Sequence, residues 1–231
     1  MKVALMGYGA MGKLIAARAA AAGHEVTLTV TVDDRPAKAE LINKLAAADV
    51  VIDFSSAEAV LDNIGVCMAA RKPIVIGTTG WSMRLDEAKS IVQKAGGGMV
   101  FGANFSVGVN IFYRLTKLAA EMFAAAGTYE SFIEEQHHSR KKDAPSGTAL
   151  KLKQIVDAAA KADVSVASTR AGHIPGTHRV GFDSTVDQVL LTHTARSREG
   201  FADGAIVAAQ WIVGKSGVYE FDQVMDGILN G

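Results

Sequence analysis

The 231-residue sequence contains a single cysteine, Cys67, so no disulfide can form within the chain. A disulfide-stapled scaffold is excluded and a reducing compartment fits. Cys67 lies among Val60, Ile64 and Met68 at helical spacing, which makes it a core residue and not a reactive thiol. Net charge is also missing, because 24 Lys plus Arg balance 24 Asp plus Glu. A nucleic-acid binder normally carries a basic excess, whereas a small anionic ligand needs only a local basic cluster. No apolar run approaches the roughly 18 residues of a membrane span. Near the N-terminus Gly7, Gly9 and Gly12, then Lys13 and Arg18, interrupt the continuous apolar centre that a signal peptide needs. These absences predict a cytoplasmic protein with neither membrane nor nucleic-acid partner. Internal repeats and low-complexity linkers are lacking too.

At 49% hydrophobic and 21% charged residues, the composition suits one or two compact domains. Short apolar runs alternate with helical stretches: strands at Lys2–Met6, 26–32, 49–54, Pro73–Ile76 and 99–101, and helices at 11–22, 35–47, from Ser55 or Ser56 (as cap) to Arg71, and 81–95. That alternation predicts an α/β, Rossmann-like doubly wound parallel sheet. The pattern changes after Asn104. A longer helix (109–126), a strand (129–136), a polar basic loop, a helix (145–162), strand-like runs broken by Gly and Pro (164–191) and a helix-like stretch (205–212) before a short tail predict a second, α+β domain. The joint falls at a hinge-like segment near Asn104–Asn110. The expected domains are 1–107 with 198–231, and 108–197.

Gly7-Tyr8-Gly9-Ala10-Met11-Gly12 is a G-x-G-x-x-G run that follows a strand and opens a helix. The first glycine permits a tight turn, the second a close approach of pyrophosphate, and the third helix–strand packing. The helix start adds N–H groups and the positive end of its dipole. Asp33 stands 21 residues past Gly12, where an acid is expected to meet the adenosine ribose of NAD; Arg35 beside it can neutralise the extra phosphate of NADP. Both cofactors therefore stay open. Gly77-Thr78-Thr79 and Gly102-Ala103-Asn104-Phe105 each follow a later strand and are placed to line the nicotinamide end.

Glu135-Gln136-His137-His138-Ser139-Arg140-Lys141-Lys142-Asp143-Ala144-Pro145-Ser146-Gly147-Thr148-Ala149 runs from a strand end through a basic loop into a helix start. Ser146, Gly147 and Thr148 present hydroxyls and backbone N–H groups as a carboxylate cradle. Lys141 adds a cation, and histidine is the usual proton donor near neutral pH. The set suits a small polyanion that must receive a proton. Adjacent histidines on a strand point to opposite faces, and Arg140, Lys141 and Lys142 repel a cation, so no metal is expected. Ser146 does not sit in a G-x-S-x-G elbow, which argues against a hydrolase. His24 is expected at a helix end on the surface, and His173 and His178 in a loop near the bound polyanion.

This stretch closely resembles the signature of the dihydrodipicolinate reductase family, Glu-x-His-His-x-x-Lys-x-Asp-Ala-Pro-Ser-Gly-Thr-Ala, with every fixed position present. The resemblance extends over nearly the whole chain, through Asp49–Ser55, the Gly77–Gly80 turn, Asn104–Asn110, His193, Ser197-Arg198 and Phe201–Ala205. It implies reduction of 4-hydroxy-tetrahydrodipicolinate, a small cyclic dicarboxylate, with NADPH or NADH in lysine and diaminopimelate biosynthesis. His137 matches the family's proton donor/acceptor, Lys141 its proton-donor lysine, His138 a substrate contact, and Gly147 and Thr148 the carboxylate binders. The resemblance also implies that the C-terminus rejoins the nucleotide domain and that a homotetramer forms through the second domain's sheet. Arg198, near that return, is a candidate for sensing closure over substrate. Many family members have a longer glycine loop with an arginine inside it; here the loop is compact. Two other readings stand beside this one: a non-catalytic dinucleotide-binding regulator, and a dehydrogenase of an amino-acid semialdehyde.

Overall fold

The computed structural model describes residues 1–229. In chain order its elements are β1 (Lys2–Met6), α1 (Ala10–Ala21), β2 (Glu25–Val30), α2 (Lys38–Leu45), β3 (Val50–Asp53), α3 (Val60–Ala69), β4 (Ile74–Ile76), α4 (Leu85–Ala95), β5 (Gly98–Phe101), α5 (Val107–Ala126), β6 (Glu130–His137), α6 (Gly147–Ala160), β7 (Ser165–Arg170), β8 (Thr177–Asp183), β9 (Gln188–Thr194), α7 (Glu199–Ile212), β10 (Gly217–Glu220) and α8 (Phe221–Leu229). The chain divides into two compact units, Met1–Val107 with the chain from Glu199 onward, and Gly108–Arg198.

The first unit is built on a parallel sheet in the order β10-β5-β4-β3-β1-β2. Its inner strands read as unbroken apolar runs because helices cover both faces; Val3, Ala4, Val50–Ile52 and Ile74–Ile76 are fully buried. Cys67 is packed in the same core. Strand order reverses between β1 and β3, the switch point where such sheets take ligands at their carboxyl ends. The loops holding Gly7–Gly12, Ser55, Gly77–Gly80 and Gly102–Phe105 leave the sheet at that end. The tail carries more than expected. β10 extends the sheet beside β5, and α7 packs on α1 through Arg18, whose guanidinium grips Asp203 at 2.7 and 2.9 Å.

Several element bounds differ from expectation. α2 starts at Lys38, not Arg35, because Pro36 disfavours helical backbone at the residue before it. α3 starts at Val60 with no side-chain cap, so neither Ser55 nor Ser56 caps it. Ser55 instead turns its N–H and hydroxyl toward Asp53, at 2.9 and 2.6 Å. The 81–95 helix opens with a separate 3-10 turn at Ser82–Arg84.

The second unit is a mixed sheet in the order β7-β6-β8-β9, with β6 parallel to β7 and antiparallel to β8. Side chains alternate across a sheet with period two. Ile133, Glu135 and His137 therefore share one face of β6, and His178, Val180 and Phe182 share that face of β8. Its apolar end makes the core with Phe112 and Ala120 of α5 and Leu152 and Val156 of α6. Its other end is polar yet still buried. His178 lies in this strand and not in a loop. Gly181 had masked the alternation, and the space its missing Cβ leaves is filled by the Phe132 ring. Among the described residues no helix is long and apolar enough to cross a membrane.

Candidate active site

On the first unit the three glycines divide their tasks as the G-x-G-x-x-G run requires. Gly7 adopts φ +88°, and a Cβ there would lie 2.2 Å from the Phe54 carbonyl oxygen. Gly12 is buried; its Cβ would fall 2.2 Å from the Gly7 carbonyl oxygen. A Cβ on Gly9 would meet nothing within 4 Å, so the backbone there is open to an approaching group. Gly9 also caps the 12-residue α1 without a side-chain acceptor, as an anion site at a helix start requires. Tyr8 and Met11 are half-buried and Ala10 is exposed. This cradle fits a dinucleotide pyrophosphate.

The turns that follow are fixed by one buried carboxylate. Asp53 is fully buried and accepts from Ser55 N–H, the Ser55 and Thr78 hydroxyls and the Asn63 amide at 2.6–2.9 Å. Thr78 is thereby committed to holding the turn, and Thr79 beside it is exposed. In the last turn Phe105 is buried against Phe54 and Phe221, Gly102 and Asn104 are half-buried and Ala103 is exposed. Asp33 is exposed in the turn after β2. Arg35 donates to Asn63 at 2.7 Å and to Asp62 at 2.5 Å.

The second unit gathers a polar row across the helix-covered face. Strand register sets Ser168 of β7, Glu135 of β6, His178 of β8 and His193 of β9 side by side, with Arg170 beside His137 one step along. Glu135 is buried and hydrogen-bonds the Nδ1 of His137. Its other oxygen accepts from Arg170 at 2.6 Å and from the Ser146 N–H at 3.3 Å. Ser146 caps α6 by accepting from the Ala149 N–H at 3.2 Å, as expected, and its hydroxyl also meets His178 Nε2 at 3.0 Å. The start of α6, with Gly147 and Thr148, thus stands over the histidine pair, whose rings meet edge to face at 5.1 Å. Tyr113 of α5 hydrogen-bonds Thr148. Lys141 pairs with Asp143 at 2.8 Å in the basic loop, and His138 is half-buried where β6 ends. Arg198 is exposed at the end of this unit.

Burial pushes the Glu135 carboxyl up, but hydrogen bonds from Arg170, Ser168 and His137 outweigh it and hold it at about 2. It is an anion at neutral pH. Burial lowers His137; Glu135 opposes that, and the charges of Lys141 and Arg170 add to it. Burial and the charge of His137 bring His178 down to about 4, so its ring is neutral near pH 7. Burial lowers His193 as well. Displaced ionisable groups clustered in this way are a common feature of functional sites.

Glu135, His137 and His178 offer ligand atoms within 4.8 Å of one another. Both carboxylate oxygens are already taken, by His137 on one side and by Arg170 and Ser146 on the other. A cation there would face the guanidinium.

His137, His138, Lys141 and the Ser146–Thr148 helix start were legible in the sequence. Glu135 and Arg170 carry no role in the sequence reading, His178 only a place in a nearby loop, and Tyr113 only a packing or surface position on a helix. The Glu-x-His spacing on a strand, which puts both side chains on one face, was the available signal for Glu135.

Residues 1–105 match the family described as dihydrodipicolinate reductase, N-terminus, and residues 108–225 match dihydrodipicolinate reductase, C-terminus. The chain is 35% identical to a 4-hydroxy-tetrahydrodipicolinate reductase of Christiangramia forsetii, with 99% of each chain covered. It is 37% identical to the reductase of the same name from Syntrophus aciditrophicus, over 78% of this chain and 74% of that one. Its fold is similar to a dipicolinate-bound dihydrodipicolinate reductase from Paenisporosarcina sp. TG-14, with a TM-score of 0.82 at 20% identity over 96% and 98% of the two chains.

Proposed function

The chain belongs to the dihydrodipicolinate reductase family, and from that premise we propose how its residues divide the work. The reaction is the NAD(P)H-dependent reduction of 4-hydroxy-tetrahydrodipicolinate to tetrahydrodipicolinate, in lysine and diaminopimelate biosynthesis. NADH or NADPH, when bound, supplies the hydride. The Gly7–Gly12 loop, with Tyr8, Ala10 and Met11, holds the cofactor's pyrophosphate; Asp33 and Arg35 hold its adenosine end. Gly77, Thr78 and Thr79 with Gly102, Ala103, Asn104 and Phe105 line the nicotinamide end.

Loss of the substrate's 4-hydroxyl as water gives a conjugated imine, and hydride addition to that imine leaves electron density that has to be protonated. His137 holds and donates that proton, with Lys141 as a second donor and a fixed cation. The two substrate carboxylates are held by His138, by the α6 start at Ser146, Gly147 and Thr148, and by Arg198. One observation carries this assignment: the capped start of α6 lies over a buried histidine that is already hydrogen-bonded to a carboxylate. An anion held there is within reach of a proton donor.

We also assign the protein to the cytoplasm and to a homotetramer. Exposed Val186, Val189 and Leu190 at and beside β9 supply apolar surface for a self-interface. Light scattering that gives a monomer would refute the tetramer.

The functional test generates the substrate from pyruvate and aspartate semialdehyde and follows NADPH and NADH oxidation separately. Turnover with at least one cofactor is expected, and turnover with neither overturns the reading. His137→Ala should lose most of its maximal rate; an unchanged rate would remove the proton-donor role.

A further inference from the structure

We propose that Glu135 is the positioning residue of the site: its carboxylate fixes His137 with Nδ1–H inward and Nε2 toward the substrate, and ties the proton donor to the helix start that binds the substrate's carboxylate. The inference rests on the proton-donor reading of His137.

The geometry leaves Glu135 little freedom. It is buried on the core face of β6, two residues from His137 and on the same side. One oxygen takes two donors, Arg170 from β7 and the Ser146 N–H from the α6 start. The other oxygen meets His137 Nδ1, and the Ser168 hydroxyl is a further donor to the carboxylate. A carboxylate can only accept, so the ring must donate there. The neutral imidazole then carries its proton on Nδ1 and leaves Nε2 bare, and the imidazolium has a proton on Nε2 to give. That second nitrogen is kept accessible by Gly176, where an added Cβ would stand 3.2 Å from it.

The charges around His137 make the carboxylate necessary. Arg170 and Lys141 are cationic, His178 is a buried imidazole and His193 a half-buried one, and burial itself opposes protonation. Of the groups that act on the ring, Glu135 alone favours the imidazolium. The same carboxylate holds Ser146, so substrate binding at the helix start and the donor's protonation share one anchor.

Glu135→Gln tests this with almost no change of shape. Arg170 and Ser146 are both donors, so they would hold the glutamine's oxygen and turn its NH2 toward His137. The ring would then have to accept at Nδ1, and its imidazolium would be disfavoured. A proton donor is active while protonated, so kcat declines as pH rises through its pKa. In Glu135→Gln that decline should move to lower pH by roughly one unit or more, and kcat at pH 7 should fall roughly 10- to 1,000-fold. The dissociation constant for NADH, read by fluorescence, should stay within about twofold of wild type. Glu135→Asp, which restores the charge, should recover part of the shift. A folded Glu135→Gln whose decline stays in place overturns the proposal. The wild-type protein gives an independent measurement: with ¹⁵N-labelled histidine, the His137 signal, assigned by its loss in His137→Gln, should report the Nδ1–H tautomer above its pKa. An Nε2–H tautomer overturns the proposal even if Glu135→Gln does not fold. If His137→Gln keeps full kcat, the donor reading itself falls, which the tautomer signal distinguishes from a failure of the Glu135 contact alone.

Discussion

The two units build their sites from different materials. The Gly7–Gly12 loop is made of backbone: a left-handed turn, an uncapped helix start and three absent side chains. The second unit's site is made of side chains from β6, β7, β8 and α6, joined through Glu135. A backbone site depends on what does not protrude, and its charges are partial and fixed. A side-chain site depends on buried ionisable groups that must satisfy one another. The first should be sensitive to added atoms and indifferent to pH. The second should tolerate small changes of shape and respond to protons.

The largest effect expected on the first side of that comparison is from Gly7→Ala. The new Cβ would meet backbone atoms of Phe54 and Ser55 at 2.2–2.8 Å and would require φ +88° of an alanine. Backbone cannot rotate away, so a loss of about 3 kcal/mol or more of first-unit stability is expected in chemical denaturation. Gly9→Ala sharpens the contrast within one loop. Its Cβ meets nothing, so stability should change by less than about 1 kcal/mol, while NADH binding should weaken by roughly tenfold or more as the pyrophosphate loses its approach. Equal stability losses in the two variants would break the backbone account.

The second side should show itself in acid. His178 is lowered to about 4 from an ordinary 6.5, by burial and then by the charge of His137. The folded state therefore favours the neutral ring. That stability is fully present above pH 6.5 and is lost as pH falls toward 4, up to about 3 kcal/mol. Glu135, lowered to about 2, adds a further loss as pH falls below about 4.5. Denaturant midpoints between pH 7 and 4 should fall steeply for wild type and less for His178→Asn. Parallel slopes would show that the histidine does not carry the dependence. A smaller effect is expected from Ser146→Ala, which removes the α6 cap at a cost of about 1 kcal/mol and should raise the substrate KM while leaving NADH binding unchanged.

The same contrast explains what could be read from the sequence. Gly7, Gly9 and Gly12 act at fixed short spacing, so the loop was visible without a structure. The basic loop and the α6 start were visible too, because His137 to Thr148 is one continuous segment. Arg170 and His178 lie 35 and 43 residues from Glu135 in the chain, and only the register of β6 with β7 and β8 brings them to it. Gly181 broke the alternation that would have shown His178 on a strand. The small tail strand β10 was missed because a four-residue strand with a glycine start carries little periodicity, and its place is set by pairing with β5.

The smallest effect tests whether the first unit is as indifferent to side chains as its glycine loop suggests. At the end proposed to take the adenosine, Arg35 is held by Asp62 and Asn63, and Lys38 also reaches Asp62 at 3.8 Å. Asn63 in turn donates to the buried Asp53. In the proposed binding mode a 2′-phosphate would compete with Asp62 for both cations, whereas a ribose hydroxyl on Asp33 would not. Asp62→Ala should release Arg35 and Lys38 and raise kcat/KM for NADPH relative to NADH. Exposed ion pairs are worth about 0.2–1 kcal/mol, so the ratio should rise only a few-fold. Asn63 would still orient the Arg35 side chain. An unchanged ratio would mean that the pair with Asp62 exerts no hold on cofactor choice, and that selection at this end lies with Asp33 and the backbone.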